Sequence, residues 1–479
     1  MLKTYDVHDY GAVGDGKSKD TAAIQSAIDT CSASGGGRVL VAPGIYLSAT
    51  LWLKSRVELH LSHGAEILGS PDLADYNADD AFTQNMGSYV PEVVTGAHLI
   101  ICLECHDVAI TGGGRINGNS SAFFDVTKKD DGYRCWVIKD KRPGQMVFFC
   151  ECSNVRVENI SFLDSPYWNL FMHGCENVMI RGLYIYNDFA TRNGDGIDID
   201  CCKNVVVDQC NIHSGDDALT VRADPKRLVH KRTGDAVLTH NILAQFWPSA
   251  EESTKTCENI VVSNCILSAA CNAIHVGVGD GVIKNCRFNN IVIHNSRWGI
   301  NLVSRYQASE TGDYLTDDGC KIDGIVFSNI TMDNCVPFMI TTGAARGEKI
   351  RNVFFDNICA SGTQTSYIEG SPNSPIRNLR FNHLHMRMSG GEINIINPQD
   401  SHLETWDRNM RSPSAFYIRH VDGLHFHGSA IEWIEFAAPW KFDVMGGDVR
   451  MECDELKSNG ENHGIKRFSW DINATETGR

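Results

Sequence analysis

Cys152-Ser153-Asn154-Val155, Cys175-Glu176-Asn177-Val178 and Cys202-Lys203-Asn204-Val205 repeat one four-residue pattern, with the Asn residues 23 and 27 positions apart. A related pattern, with Asn or Asp two residues after Cys and then a β-branched residue, begins at Cys105 and Cys257. The repeats are joined by short runs rich in Val and Ile. A period of about 25 residues made of short strands is typical of a solenoid. We therefore predict an all-β chain, a right-handed parallel β-helix. A β-propeller would need longer blades, and a leucine-rich array would need Leu where Val and Ile stand.

The 18 cysteines fit this repeat better than a disulfide framework or a metal site. A position that recurs in every repeat predicts a column of small apolar thiols. The segment Cys102-Leu103-Glu104-Cys105-His106 has the spelling of a c-type haem attachment, but that chemistry needs an exported protein and the repeat already accounts for Cys105. Paired zinc cysteines would need a second Cys-x-x-Cys segment, and none occurs. We expect neither a metal nor another cofactor.

Length and charge narrow the classes of function. With 479 residues, 42% of them apolar, the chain can form a large core, and a solenoid can grow along one axis as effectively one domain. A formal charge of −16 argues against nucleic acid as a partner. Met1 to Val7 lead into polar, Gly-rich sequence without an apolar stretch, so we expect no membrane partner. We expect a cytoplasmic protein, or a secreted or periplasmic one if a leader was removed. The sequence specifies no oligomeric state.

The first 37 residues differ from the repeat. We predict a short strand near Tyr5 and a Gly-rich turn, followed by an amphipathic capping helix from Thr21 to about Cys31. Asp20 is expected to cap this helix, and Gly35-Gly36-Gly37 to stop it. Residues 1–37 would therefore close the first coil.

Residues 38–457 are predicted to form the parallel β-helix, and residues 458–479 a polar tail. Insertions that would form a cleft are expected near 70–95, 120–145 and 222–256. The last insertion has a local charge of +4 over eleven residues, from Arg222, Lys226, Arg227, Lys231 and Arg232 against Asp224. It begins five residues after Asp217, so both a solvated surface loop and an anion-binding loop remain open.

Two segments carry the candidate chemistry. They are Asn193-Gly194-Asp195-Gly196-Ile197-Asp198-Ile199-Asp200 and Ser214-Gly215-Asp216-Asp217, and 21 residues separate Asp195 from Asp216. If this spacing is one turn of the coil, Asp195, Asp216 and Asp217 become neighbours on one outer face. Clustered carboxylates are suited to acid and base catalysis at a glycosidic bond. Asp198 and Asp200 are interpreted as structural residues of a solvated strand face.

Four segments together resemble the polygalacturonase family, the pectin-degrading parallel β-helix enzymes of glycoside hydrolase family 28. They are Pro166-Tyr167-Trp168-Asn169-Leu170, Cys175-Glu176-Asn177-Val178, Asn193-Gly194-Asp195-Gly196-Ile197-Asp198 and Ser214-Gly215-Asp216-Asp217. The resemblance implies that Asp216 is the general acid and that Asp195 and Asp217 hold and deprotonate the attacking water, with inversion of configuration. An acid crowded by two carboxylates is expected to have a raised pKa, which would keep it protonated near neutrality.

The chain departs from the family pattern at two places. The family's Gly-His-Gly segment aligns with Ala270-Cys271-Asn272-Ala273, so its histidine is missing, although His275 lies close by. The family's Arg-Ile-Lys segment aligns with Asn301-Leu302-Val303, so both cations are missing, although Arg297 and Arg305 are near in sequence and Arg222 follows the paired Asp. The resemblance thus gives these candidate substrate-binding residues: Asn193, Arg222, Asn272, His275, Asn301 and Arg305.

Loss of the two cations removes fixed donors for a sugar carboxylate. The resemblance implies α-linked pectic oligosaccharides or polysaccharides as substrates. Because the two cations are missing, both galacturonides and fragments of rhamnogalacturonan remain open. Cleavage is expected at a chain end. One alternative is a polysaccharide lyase, which would need a uronate polymer, usually Ca²⁺ and a cationic base. The other is a non-catalytic carbohydrate-binding β-helix.

Overall fold

The computed structural model describes residues 3–77, 94–130, 135–223, 256–279, 281–304, 319–343, 345–389, 414–434, 440–445, 449–454 and 465–468. The described residues fall into two compact units. The first unit contains those up to residue 218. The second contains residues 219–223 and those from 256 onward.

The first unit begins with strand β1 (Thr4–Asp6), a 3₁₀ helix (Val7–Tyr10), strand β2 (Asp15–Lys19) and helix α1 (Thr21–Ala33). The prediction of a short N-terminal helix is confirmed, and the helix ends as expected before the three glycines. The prediction that Asp20 caps it is wrong for the side chain, which makes no capping hydrogen bond. The Asp20 carboxylate instead accepts hydrogen bonds from the backbone N–H groups of Val13 at 2.7 Å and Gly14 at 3.1 Å. It is therefore committed to the preceding Gly-rich turn.

The remaining strands of the first unit are three to seven residues long. In chain order they are β3 (Gly37–Val41), β4 (Gly44–Ser48), β5 (Leu51–Leu53), β6 (Val57–Leu61), β7 (Ala65–Gly69), β8 (Ile100–Leu103), β9 (His106–Gly112), β10 (Arg115–Asn117), β11 (Phe124–Lys129), β12 (Trp136–Ile138), β13 (Val147–Cys150), β14 (Ser153–Glu158), β15 (Ser161–Leu163), β16 (Leu170–His173), β17 (Glu176–Arg181), β18 (Tyr184–Tyr186), β19 (Ile197–Asp200), β20 (Lys203–Asp208) and β21 (Asn211–Ser214). Two further 3₁₀ helices are Leu73–Asp75 and Ser120–Ala122.

The repeat places identical residue types in register on successive coils. Val155 of β14 pairs with Val178 of β17, which pairs with Val205 of β20, all three in parallel ladders. Cys152, Cys175 and Cys202 precede these valines and are buried, and none of the 18 cysteines, all of which lie among the described residues, forms a disulfide. The predicted column of packed thiols is thereby confirmed.

The asparagines of the repeat form a ladder at the second position of these strands. Asn154, Asn177 and Asn204 have φ values of 54° to 56°, in the left-handed region that Asn tolerates better than most residues. Asn177 donates from Nδ2 to Oδ1 of Asn154 at 3.3 Å, and Asn204 donates to Asn177 at 3.2 Å. Asn therefore serves two purposes in the repeat. It tolerates the left-handed backbone, and at Asn177 and Asn204 its side chain forms a hydrogen bond with the Asn of the preceding coil.

Five strands of the second unit are longer, with 13 to 21 residues. In chain order the strands of this unit are β22 (Leu219–Arg222), β23 (Thr256–Ala269), β24 (Asn272–Gly277), β25 (Val282–Lys284), β26 (Arg287–Val303), β27 (Lys321–Thr341), β28 (Ile350–Gly362), β29 (Ser366–Glu369), β30 (Ile376–Met388), β31 (Ser414–Arg419), β32 (Val421–His427), β33 (Ala430–Trp433), β34 (Trp440–Met445), β35 (Arg450–Asp454) and β36 (Ile465–Phe468).

A stack of phenylalanine rings runs through the interior of the second unit. Neighbouring ring centroids in this stack are 4.5 to 5.0 Å apart, for Phe288, Phe327, Phe355, Phe381 and Phe426. All five side chains are fully buried. Rings at this spacing add favourable contacts to a large burial of apolar surface. Both units are thus built from parallel coils, and the predicted parallel β-helix is confirmed.

Parts of the predicted organisation lie outside the described residues, including 78–93 and 224–255, which make up most of two predicted insertions. Within the insertion predicted near 120–145, β11 and β12 form an antiparallel pair. Beyond residue 457, β36 pairs in parallel with β34, so the ladder continues into the segment predicted as a tail. In the described part of the chain, no helix has the length and apolar character needed to cross a membrane.

Candidate active site

The two carboxylate segments are joined by backbone hydrogen bonds in the first unit. Gly196 donates to the carbonyl oxygen of Asp217 at 2.8 Å, and Gly215 donates to that of Gly194 at 3.1 Å. Asp195 and Asp217 are each 7% exposed, and Asp216 is half-buried. The spacing of 21 residues therefore corresponds to one coil, and three carboxylate residues are brought together on hydrogen-bonded backbone.

Two glycines allow this close approach. A Cβ atom on Gly196 would lie 2.4 Å from the carbonyl oxygen of Ala218, and one on Gly215 would lie 2.2 Å from that of Thr191. Both distances are well below van der Waals contact, and both obstacles are backbone atoms. The alternation of Gly and Asp thus has a steric cause, since the glycines let the aspartate-bearing backbones pack together.

Asn169 fixes the backbone of Asp195. Its backbone N–H and its side-chain Nδ2 both donate to the carbonyl oxygen of Asp195, at 2.9 and 2.8 Å. The same Nδ2 lies 3.2 Å from Oδ1 of Asn187, and both asparagines are fully buried. Asn169 belongs to one of the motifs quoted above, but sequence reasoning did not assign it to the site.

Asn193 connects the two carboxylate segments through its side chain. Its Nδ2 faces Oδ2 of Asp216 at 3.5 Å, and its Oδ1 accepts a hydrogen bond of 2.8 Å from Nη2 of Arg142. Arg142 is fully buried and was not predicted from the sequence. It comes from the segment predicted as an insertion, where the only local signal is a basic residue before Pro143.

Cys135 lies near enough to Asp216 for the charges of the two groups to interact. Burial raises the pKa of the Cys135 thiol to about 12, and the negative charge of Asp216 contributes to the rise. Beside it, Arg192 forms an ion pair with Asp130. Cys135 is therefore a neutral thiol at neutral pH and is not a candidate nucleophile.

Asp198 and Asp200 do not lie on a solvated strand face, which corrects the sequence interpretation. Both are 0% exposed, and Oδ2 of Asp200 lies 3.0 Å from Nδ1 of the equally buried His173. Period-two alternation shows that the two aspartates share a face of β19, but it does not show whether other residues cover that face.

Potential metal ligands of His173, Asp200 and Cys201 lie within 4.8 Å of one another, as do those of His425, His427 and Asp454 in the second unit.

Four candidate substrate-binding residues belong to the second unit and are buried. Exposures are 3% for Arg222, 3% for Asn272, 2% for His275 and 4% for Asn301. His275 pairs in register with Asn301, and Nδ2 of Asn301 donates to Oδ1 of Asn272 at 2.8 Å. The asparagines therefore satisfy part of each other's hydrogen-bonding capacity. Arg305 lies outside the described residues.

Arg297, which is close to these positions in sequence, packs on an aromatic ring. Its guanidinium carbon lies 4.2 Å from the ring centroid of Trp298, a cation–π contact. Trp298 is 8% exposed and packs with Cys335 and Val336. Arg297 is thus held by this indole in the second unit.

Comparison with protein families shows which family the chain belongs to. The family described as glycosyl hydrolases family 28 matches residues 92–399, which is more than half of the chain. A second family, rhamnogalacturonase A/epimerase, pectate lyase-like, matches residues 4–105. The chain therefore belongs to glycosyl hydrolase family 28 and is a glycoside hydrolase.

The chain is also similar to individual relatives in sequence and to solved structures in fold. A probable polygalacturonase of Vitis vinifera is 26% identical over 374 residues, covering 74% of this chain and 72% of the relative. An exo-poly-alpha-D-galacturonosidase of Dickeya chrysanthemi is 24% identical over 441 residues, covering 80% and 71%. The solved structure of the family 28 exopolygalacturonase of Yersinia enterocolitica superposes with a TM-score of 0.64 at 18% identity, covering 100% of this chain and 79% of that one.

Proposed function

We propose that the protein is an inverting, exo-acting glycoside hydrolase of α-linked pectic oligosaccharides, with Asp216 as the general acid and Asp195 and Asp217 as the groups that activate water. The observation that carries the proposal is the backbone pairing of the two carboxylate segments. Membership of family 28 favours hydrolysis over the lyase and the binding-protein alternatives.

The reaction follows from these three side chains. Asp216 donates a proton to the glycosidic oxygen as the bond from that oxygen to the anomeric carbon breaks. A water molecule held by Asp195 and Asp217 loses a proton to one of them, and its oxygen attacks the anomeric carbon from the opposite face. Asp216 ends ionised and the base ends protonated, so exchange with solvent restores the starting state. Two carboxyl groups in these roles are the usual equipment of inverting glycosidases.

The half-buried state of Asp216 supports its assignment as the acid. Asp195 and Asp217 are 7% exposed, whereas Asp216 has more access to solvent and so to a leaving sugar. The amide of Asn193 lies beside Asp216 and can hold its carboxyl group in one orientation. The difference in burial therefore distinguishes the accessible carboxyl group of Asp216 from the buried carboxyl groups of Asp195 and Asp217.

The substrate proposal rests on relatives and on the residue types at the positions that align with the family's cations. The Vitis and Dickeya relatives are named for polygalacturonic substrates, which supports a pectic oligosaccharide, and the Dickeya name supports cleavage at a chain end. Asn301, which stands in place of a cation, donates to Asn272 and is neutral. A galacturonide or a rhamnogalacturonan fragment therefore fits the proposal.

Digestion of a defined substrate panel tests the proposal. Purified protein is incubated with oligogalacturonides of single lengths and with rhamnogalacturonan oligosaccharides, and products are separated by anion-exchange chromatography. We expect stepwise release of a terminal sugar. An unsaturated product absorbing in the ultraviolet would contradict the proposal, and so would failure to cleave any of these sugars.

Substitution of the proposed acid provides the matching control. Asp216→Asn should lower kcat by about 10³-fold or more, because leaving-group protonation is lost. The same change at Asp208, on strand β20 of the same unit, should leave kcat unchanged. If Asp216→Asn keeps its activity in a folded protein, the assignment of the acid is wrong.

We also propose a reducing compartment, the cytoplasm, as the site of action. The support is that none of the 18 cysteines, all of which are described, forms a disulfide, although Cys175 and Cys202 are in contact on neighbouring coils. Stable free thiols in such number are typical of reducing surroundings. Recovery of the native protein from the periplasmic or extracellular fraction would contradict this.

A further inference from the structure

We propose that Arg142 is a positioning residue, which fixes the Asn193 amide so that its NH₂ group faces Asp216. This inference rests on the proposed function, because it takes Asp216 as the general acid. It concerns a residue outside the quoted motifs.

Arg142 is held rigidly inside the first unit. Its side chain is 0% exposed, and its Nη1 donates to the backbone carbonyl oxygens of Pro166 at 2.8 Å and Arg192 at 2.5 Å. The guanidinium carbon lies 4.8 Å from the ring centroid of Tyr167 and 5.5 Å from that of Phe124. Burying a guanidinium group carries a large desolvation cost, which an apolar side chain of similar size would avoid. A function of the charge or of its donors explains why this residue type is used.

The donor chemistry of arginine determines the orientation of the amide. A guanidinium group has five N–H donors and no acceptor, whereas an asparagine amide has one oxygen acceptor and one NH₂ donor. The Asn193 atom at 2.8 Å from Nη2 of Arg142 must therefore be the oxygen. The NH₂ group then points the other way, and it lies 3.5 Å from Oδ2 of Asp216.

This orientation affects the acid directly. A donor beside a carboxyl group favours its ionised form, whereas an acceptor favours the protonated form. If Arg142 is removed, the amide can rotate and present its oxygen to Asp216. Proton donation to the leaving group would then be less favourable, and the enzyme would keep its acid protonated to a higher pH.

The test measures pH profiles of kcat and kcat/KM for Arg142→Lys and Arg142→Met on the substrate that the wild-type enzyme cleaves. We expect kcat to fall by about 10- to 100-fold with a smaller change in KM, because the reacting geometry is altered more than binding. We expect the basic limb of the profile to move to higher pH by about half a unit to one unit. Arg142→Lys keeps the charge but not the fork of donors, so it carries the test if Arg142→Met does not fold.

Two further variants separate positioning from stability. In an Asn193→Ala background, Arg142→Lys should cause no additional shift of the basic limb, because the amide that transmits the effect is absent. Phe124→Leu loosens the packing around Arg142 without removing its donors, and should lower Tm while the limb stays in place.

An unchanged basic limb in both Arg142 variants would overturn the proposal, and so would an equal shift in the Asn193→Ala background. Asp216→Asn is measured in parallel. If that variant is active, the proposed acid is wrong; if it is inactive while the Arg142 variants match the wild type, only the positioning role fails.

Discussion

Gly215 controls the distance between the two carboxylate segments, so Gly215→Ala should damage the site without altering any catalytic group. The new Cβ atom would lie 2.2 Å from the carbonyl oxygen of Thr191 and 2.8 Å from that of Asp188. Both obstacles are backbone atoms, so no side-chain rotation relieves the contact. Thr191 also accepts the hydrogen bond from Gly194, directly before Asp195. The clash therefore acts on both carboxylate segments.

The structure gives the size of the effect. Separating the Cβ atom from the Thr191 oxygen to 3.0 Å requires a movement of 0.8 Å from 2.2 Å. Overpacking of a dense interior costs about 1 to 3 kcal/mol in the free energy of unfolding. A displacement of about 1 Å between reacting groups can lower kcat by about 100-fold. We therefore expect a folded protein with kcat reduced by about two orders of magnitude.

The assay measures kcat and the free energy of unfolding of Gly215→Ala beside those of Gly347→Ala. Gly347 has a φ of 73°, and no other atom lies within 4 Å of the place that a Cβ atom would take, so its substitution causes backbone strain without a clash. Gly347→Ala should lose stability and keep its kcat. If Gly215→Ala keeps a wild-type kcat, the close packing of the two segments is not needed for catalysis and the reasoning fails.

Three further predictions concern the coil itself. Asn177→Ala should lower the free energy of unfolding in urea by about 1 to 2 kcal/mol, because alanine fits the left-handed backbone poorly, while Asn177→Gly should lose less. Phe355→Ala should cost about 3 to 5 kcal/mol in the same measurement, because it removes a fully buried ring from the middle of the stack, and an unchanged value would disprove tight packing there. In a thiol titration of the native protein, the exposed Cys359 should react fast, and Cys359→Ser should remove that phase. Cys102 and Cys175 should react only on unfolding, because burial raises the pKa of both thiols, so fast labelling of either would contradict their burial in the packed interior.

The coil could be predicted from the sequence because its determinants are local and repeated. Val155, Val178 and Val205 recur at the coil length, so a period read along the chain becomes a column in space. Asp195 and Asp216 follow the same rule, since their separation is one coil. The period of the repeat is therefore enough to predict that the two carboxylate segments lie on adjacent coils.

Other features could not be predicted because they depend on contacts between distant segments. Arg142 reaches Asn193 from 51 residues away, and nothing in its own neighbourhood indicates that contact. Burial of Asp198 and Asp200 depends on what covers their face of β19, which alternation does not specify. The carboxylate of Asp20 accepts hydrogen bonds from two backbone N–H groups of the preceding turn, and the sequence does not show that this turn folds back onto it.

The configuration of the first product tests the central claim most directly. Hydrolysis of an α-linked pectic oligosaccharide is followed by proton NMR from the first seconds, before mutarotation equilibrates the anomers. If Asp216 protonates the leaving oxygen while Asp195 and Asp217 direct water to the opposite face, the β-anomer of the released sugar should appear first. Initial accumulation of the α-anomer would mean retention and would contradict the roles assigned to the three aspartates.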